Sequence, residues 1–337
     1  MHRSRGTPRS PARQAGPTEI RDYALPNITG FCHLRFGDFT FIIPRMSETS
    51  PQFQERSIVI VGVGLIGGSI AAAMRKRFPE CRVVGVGRNE ERLEQARRAG
   101  LLTSWTVDLN KSTVPAGSLG VVCLPVHQIP NAVTALLNAD CDLVTDAGSV
   151  KASVYEALGP NPDERFVGSH PIAGSEQSGF EHADADLFKN RLCVVTTSSP
   201  EDSARNRVQR VIAFWKSLGS SVYLMSPDEH DRVLALTSHL PHILASVAAS
   251  CVNQGLLTFT GTGYRDTTRI AAGSAKLWAS ILMGNSKHCV ESIEQAEEQL
   301  RKFREFLTSG NTEALEQLWE AAAENRRKLN GNHSEPL

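Results

Sequence analysis

The chain of 337 residues has no charge bias: 36 Lys and Arg residues are matched by 36 Asp and Glu, for a formal net charge of zero. This removes any global electrostatic case for nucleic acid or a membrane surface as partner. Paired cysteines are missing too. Cys32, Cys81, Cys123, Cys141, Cys193, Cys251 and Cys289 stand singly, without a CxxC or a metal-ligand spacing. An odd, dispersed set predicts reduced thiols in a cytoplasmic protein, with no disulfide framework and no metal site. No uninterrupted apolar run approaches the roughly 20 residues of a spanning helix, so no membrane segment is expected. What is present is a 41% hydrophobic, 21% charged composition, the balance of a soluble globular protein. The length allows two domains, each with a buried core.

Residues 1–50 differ from the rest. Arg3, Arg5, Arg9, Arg13 and Arg21 are interspersed with Pro8, Pro11 and Pro17, and acids are few. A transit peptide is Arg- and Ser-rich in this way, but the prolines break helical amphipathicity. The segment is therefore read as a disordered extension outside the fold.

Organised structure is expected from residue 51. Ser57-Ile58-Val59-Ile60-Val61 is a β-branched run of the kind found in buried parallel strands. Gly62-Val63-Gly64-Leu65-Ile66-Gly67 follows, and then a helical pattern from Ile70. A GxGxxG alone is weak, but between a strand and a helix it reads as a dinucleotide fingerprint. Gly62 allows the tight turn, Gly64 lets backbone approach a pyrophosphate, and Gly67 lets helix and strand pack closely. The helix start at Leu65 and Ile66 then presents its amides to the anion.

The second strand, Arg82 to Arg88, bears on the choice of cofactor. An NAD site places an acid about 20 residues past the glycines to hold the ribose 2′-hydroxyl. Here Gly87 occupies that place, followed by Arg88 and Asn89. A guanidinium without a competing carboxylate favours NADP over NAD. The alternative has Arg88 stacking on adenine, with Glu90 or Glu91 reaching the ribose.

Further strands are expected at Leu119–Val126 and Cys141–Asp146. The latter leads into Ser149, which can either cap the next helix or reach a ligand at the carboxyl end of the strand. Val167 to Glu176 packs His170, Glu176, Ser169, Ser175, Gly168, Gly174 and Pro171 together. It has too little apolar surface for a core strand and too much chemistry for a plain loop, so His170 is a candidate proton acceptor. After Pro227 strand signals stop. An α/β domain over 51–226 and an all-helical domain over 227–330 are the expected architecture. Ser238 and His242 are four apart within an apolar helix, with Pro241 inviting a kink. Asp266 and Arg269 are three apart further on. Taken singly, each is as well read as a satisfied core residue or a surface pair. Together they supply cations and hydroxyls suited to a small carboxylate.

In this order the motifs resemble the prephenate and arogenate dehydrogenases of tyrosine biosynthesis, over roughly residues 57–300. They are Gly62 to Ser69, Asp146 to Lys151, Gly168 to Glu176, Ser238 to His242, and Arg265 to Arg269 with Trp278. The resemblance implies a Rossmann-type domain followed by a helical dimerisation domain, a homodimer, and oxidative decarboxylation of a cyclohexadienol with hydride transfer to NAD or NADP. It implies that His170 accepts the hydroxyl proton and that Ser149 shares that hydrogen bond. Arg269 would bind a substrate carboxylate, and His242 with Ser238 the side-chain end. Ser175 and Glu176 would line the site's mouth, and Asp266 would reach the neighbouring subunit's site.

Two features depart from the family pattern: the acid after the second strand is absent, and Ser280 stands where many members have an aspartate. After about Asn311 one helix and a polar tail remain, so no appended regulatory domain is expected. Gln177 is uncharged and His242 suits a keto acid, which favours prephenate over arogenate as substrate. Two competing readings are a β-hydroxyacid-type dehydrogenase and a non-catalytic dinucleotide sensor. The first needs a catalytic lysine, for which only Lys276 is near the motifs. The second has no use for His170, Ser149 and Arg269 together.

Overall fold

The computed structural model describes residues 31–36, 39–44, 52–174, 177–197 and 205–331. Its first elements are an antiparallel pair, β1 (Phe31–Phe36) and β2 (Phe39–Pro44). This corrects the expectation that all of residues 1–50 lie outside the fold. The alternating runs FCHLRF and FTFIIP pair with each other, and β2 docks on a later strand through Ile42 and Leu224.

Five parallel strands form the dinucleotide-type sheet: β3 (Ser57–Val61), β4 (Arg82–Val86), β5 (Ser104–Thr106), β6 (Leu119–Val122) and β7 (Leu143–Asp146). Their order is β5-β4-β3-β6-β7. Helices α1 (Leu65–Arg77), α2 (Glu90–Arg98) and α3 (Ile129–Asn138) form the connections. Along β3 the residues alternate between two cores. Ile58 and Ile60 join Ile70, Met74 and Trp215 on one face, while Val59 and Val61 join Val122, Ile129 and Leu136 on the other. A strand covered on both faces must be apolar throughout, which is why this run shows no polar alternation.

After α4 (Ala152–Leu158) come β8 (Ser169–Pro171), β9 (Leu192–Thr196), α5 (Asn206–Ser217) and β10 (Ser221–Met225). These strands form a second sheet ordered β1-β2-β10-β9-β8. Thus Ser169-His170-Pro171, expected to be no core strand, is a short, fully buried strand antiparallel to β9, with His170 opposite Val194. The neighbouring apolar strand supplies the packing that the segment's own composition lacks.

The remainder is helical. Helices α6 (Pro227–Leu234) and α7 (Leu240–Ser250) are joined without a break by a π-helical turn at Ala235–His239. The Leu240 amide donates to the Ala235 carbonyl, five residues back. Pro241 has no amide hydrogen to close an ordinary turn, and the expected kink takes the form of this widening. By length and composition alone the run Pro227–Ser250 could cross a membrane, with a mean hydropathy of 1.3 over 18 residues, but its first turns carry Asp228, Glu229, Asp231 and Arg232, so it holds no uninterrupted apolar run of about 20 residues. Helices α8 (Thr262–Thr268), α9 (Ala275–Gly284), α10 (Ser286–Ser309) and α11 (Thr312–Gly331) complete the chain. Gly310 ends α10 in the left-handed conformation, and Phe303 meets Trp319 across the turn.

Candidate active site

The carboxyl ends of β3, β4 and β6 open into a cavity of about 710 Å³, lined by Gly62, Gly64, Arg88, Arg92, Leu124 and Gln128 among others. Each glycine of the fingerprint has its own steric reason. Gly62 has φ +96°, and a Cβ there would lie 2.5 Å from the Cys123 carbonyl oxygen. A Cβ on Gly67 would lie 2.1 Å from the Gly62 carbonyl oxygen, so this position sets the helix–strand approach. Gly64 is different: nothing lies within 4 Å of its added Cβ, and it is the N-cap of α1 with no side chain covering the first turn. That open helix start, with the amides of Leu65 and Ile66, fits a pyrophosphate.

Arg88 is exposed on the cavity wall, while neither Glu90 nor Glu91 lines it. Those two acids lie in the first turn of α2, where they favour the helix dipole. Arg92, a wall residue not anticipated from sequence, donates to both carboxylate oxygens of Glu181 at 2.9 Å and lies over the Phe180 ring.

The next strand end, that of β7, carries a buried polar cluster. Lys151 and Asp146 are fully buried and form an ion pair. Lys151 Nζ also donates to the Ser169 carbonyl oxygen (2.9 Å), and the Ser169 amide donates to Asp146 Oδ1 (3.0 Å). Trp215 Nε1 donates to Ser169 Oγ at 2.8 Å. The strand bearing His170 is therefore fixed by charge-assisted bonds as well as by sheet pairing.

His170 itself is 9% exposed. Its Nδ1 lies 2.9 Å from His230 Nε2, and His230 Nδ1 lies 2.7 Å from Asp231 Oδ1. Burial, together with His230, Lys151 and His239, holds the His170 imidazole well below its ordinary range. The ring is therefore neutral at physiological pH, with its lone pair unprotonated. Burial also lowers His230, outweighing Asp231, and lowers His239 to about 4.

His230 and Asp231 escape a reading of the sequence because they directly follow Asp228 and Glu229 in the charged first turn of α6, which reads as a helix start. A signal existed: Leu234 and Ala235 follow each by four positions and are buried, so the His–Asp pair shares the inward face.

The remaining predicted residues divide clearly. Ser149 is half-buried but does not cap α4; the N-cap is Lys151, and the caps come from Asp231, whose two oxygens accept the Lys151 and Ala152 amides at 2.8 Å each. The His242 ring stacks on Trp278 at 3.6 Å, and its Nδ1–H donates to the Ser238 carbonyl oxygen at 2.8 Å. Ser238 thus meets His242 through its backbone. Asp266 ends up in α8 and Arg269 just beyond it, both exposed, with no side-chain hydrogen bond or ion pair to another described residue. Ser280 Oγ lies 3.3 Å from His127 Nδ1. Ser175 and Glu176 lie outside the described residues.

Two family models match the chain: "prephenate dehydrogenase, nucleotide-binding domain" over residues 70–224 and "prephenate dehydrogenase, dimerization domain" over 226–321. The prephenate dehydrogenase of Bacillus subtilis is 31% identical over 287 residues, covering 81% of this chain and 76% of that protein. The cyclohexadienyl dehydrogenase of Zymomonas mobilis is 29% identical over 289 residues, covering 82% and 97%. Among solved structures, prephenate dehydrogenase from A. aeolicus in complex with hydroxyphenyl propionate and NAD+ superposes with a TM-score of 0.75 at 28% identity, covering 84% of this chain and all of that one.

Proposed function

The chain belongs to the prephenate/arogenate dehydrogenase family, and from that premise we propose that it converts prephenate to 4-hydroxyphenylpyruvate by oxidative decarboxylation. The observation that carries this reading is His170, a buried neutral imidazole held at Nδ1 and with no described partner at Nε2. Bound along the glycine turn, a nicotinamide dinucleotide supplies the acceptor for the hydride leaving the carbinol carbon. The hydroxyl proton goes to His170 Nε2, and Ser149 shares the hydrogen bond to that oxygen. The ring carboxylate then leaves as carbon dioxide. Its bonding pair enters the ring, which becomes aromatic as the oxygen takes the proton back.

Arg269 holds a substrate carboxylate through its planar fork, and His242, flat against Trp278, meets the side-chain end with Ser238. A homodimer completes the site, with Asp266 reaching the neighbouring subunit. Phe259 (83% exposed), Met283 (75%) and Trp319 (68%) give the helical domain apolar surface for such a contact. Arg88 on the cavity wall, without Glu90 or Glu91, supports NADP as cofactor.

A second reading, acceptance of arogenate as well, is favoured by the Zymomonas mobilis relative, whose name covers the cyclohexadienyl class to which both compounds belong. Prephenate and arogenate, each assayed with NAD and NADP, separate these readings. Turnover of prephenate with NADP is expected to be fastest, and cofactor binding without turnover of either acid would leave only the dinucleotide sensor. Arg269→Ala is expected to raise KM about tenfold with kcat little changed; an unchanged KM would move the carboxylate site elsewhere.

A further inference from the structure

The chain from Asp231 through His230 to His170 has a definite direction, set at its Asp231 end. Both carboxylate oxygens of Asp231 accept backbone amides, those of Lys151 and Ala152, and its own carbonyl oxygen accepts from Asn285 Nδ2 at 2.7 Å. Asp231 is therefore held as an acceptor, and His230 Nδ1 must be the donor in their 2.7 Å contact. A neutral imidazole has one N–H, so His230 Nε2 carries only a lone pair. At 2.9 Å from it, His170 Nδ1 must then hold the hydrogen. His170 Nε2 is left as a bare lone pair.

We infer that His230 and Asp231 are positioning residues that lock His170 in its Nδ1–H tautomer, making Nε2 the proton acceptor. This rests on His170 being the base of the reaction proposed above. His230 and Asp231 belong to α6, His170 to β8, and the amides that anchor Asp231 to the start of α4. The tautomer is thus set only when the helical region is docked on the sheet. Other groups pack around the chain: the Lys151 ammonium and Asp146 carboxylate from the sheet side, Cys193 on β9, and His239 and Cys289 beyond Asp231. As His170 takes the hydroxyl proton and becomes an imidazolium, its Nδ1–H still points down a row of dipoles ending in a fixed negative charge. No second proton needs to move.

Long-range 1H–15N correlation spectra of the full-length protein labelled at histidine, taken at neutral pH without substrate, read the tautomer directly. His170 signals are assigned by their loss in His170→Asn. Protonation at Nδ1 is expected; protonation at Nε2 overturns the inference. In His230→Leu the acceptor is gone, and the Nε2–H form should grow while kcat falls roughly 100-fold, the scale of a misset base. KM and cofactor Kd should stay within about threefold. His230→Gln offers an amide oxygen to Nδ1–H and should recover most of the loss. Wild-type kcat in both variants, or equal losses in both with the tautomer unchanged, overturns it. Because the tautomer is read without substrate, a wild-type protein that fails to turn over prephenate would sink the functional reading and leave this one standing.

Discussion

The dinucleotide cleft takes its glycine turn from one short stretch of chain: Gly62, Gly64 and Gly67 make a turn and a helix start, while the ends of β4 and β6 add Arg88, Leu124 and Gln128 to the walls. The histidine site draws on β7, the N-cap of α4, β8, α6 and the junction of α9 and α10, which contribute Asp146, Lys151, His170, His230 with Asp231, and Asn285. The first is a matter of backbone shape, in which a missing Cβ is the working part. The second is a matter of electrostatics in a dry interior, where each polar group depends on a partner from elsewhere in the chain. A local site tolerates change at a distance. A site of this second kind should be sensitive at residues that never meet the substrate.

The sharpest break between the two is His170→Asn. It is expected to lower kcat by roughly 100-fold or more, by removing a proton acceptor, while leaving cofactor Kd as it was. Near-normal kcat would remove His170 from the chemistry. Lys151→Met comes next. It leaves the Asp146 carboxylate buried without its cation, a change costing about 3–5 kcal/mol, to be read as a large fall in Tm with cofactor contacts intact. A Tm within a degree or two of wild type would mean that this pair does not brace the strand. On the other side of the comparison, Arg88→Ala should raise KM for NADP about tenfold and spare NAD. Equal effects on both would assign Arg88 to the adenine.

The smallest expected effect is in pH dependence. His170 and His230 are both lowered in the folded protein, so between their native values and about 6.5 the unfolded chain binds protons that the native state refuses. Stability should therefore be full above about pH 6.5 and decline as pH falls below it, and His230→Gln should flatten that decline. The acid limb of kcat/KM should likewise lie below 6.5. A limb at 6.5 or higher would mean that the base is not the buried neutral imidazole described.

Much of the cleft could be read in advance because its determinants are contiguous. A β-branched run, a glycine turn and a small-residue helix start are adjacent in sequence, and each has a steric meaning on its own. His170 could be singled out but not understood. Its neighbours suggested chemistry, yet the short strand that holds it forms only because β9 lies beside it. Ser149 had two readings, a cap or a ligand contact, and the fold excludes the first. As a hydroxyl just before a helix it looked like a cap, but Asp231 took that role from another part of the chain. The β1–β2 hairpin was hidden by its arginine- and proline-rich surroundings, although its own two runs alternate as strands do.

The amino-acid sequence by itself determined the parallel strands around the glycine turn, the change to helices after Pro227, the family, and the identity of His170 as a candidate base. These follow from local sterics and from patterns a few residues long. Tertiary structure alone decided which way the His170 ring carries its hydrogen and how far its basicity is depressed. Both depend on burial and on Asp231, a partner sixty-one positions away that no local rule connects to it.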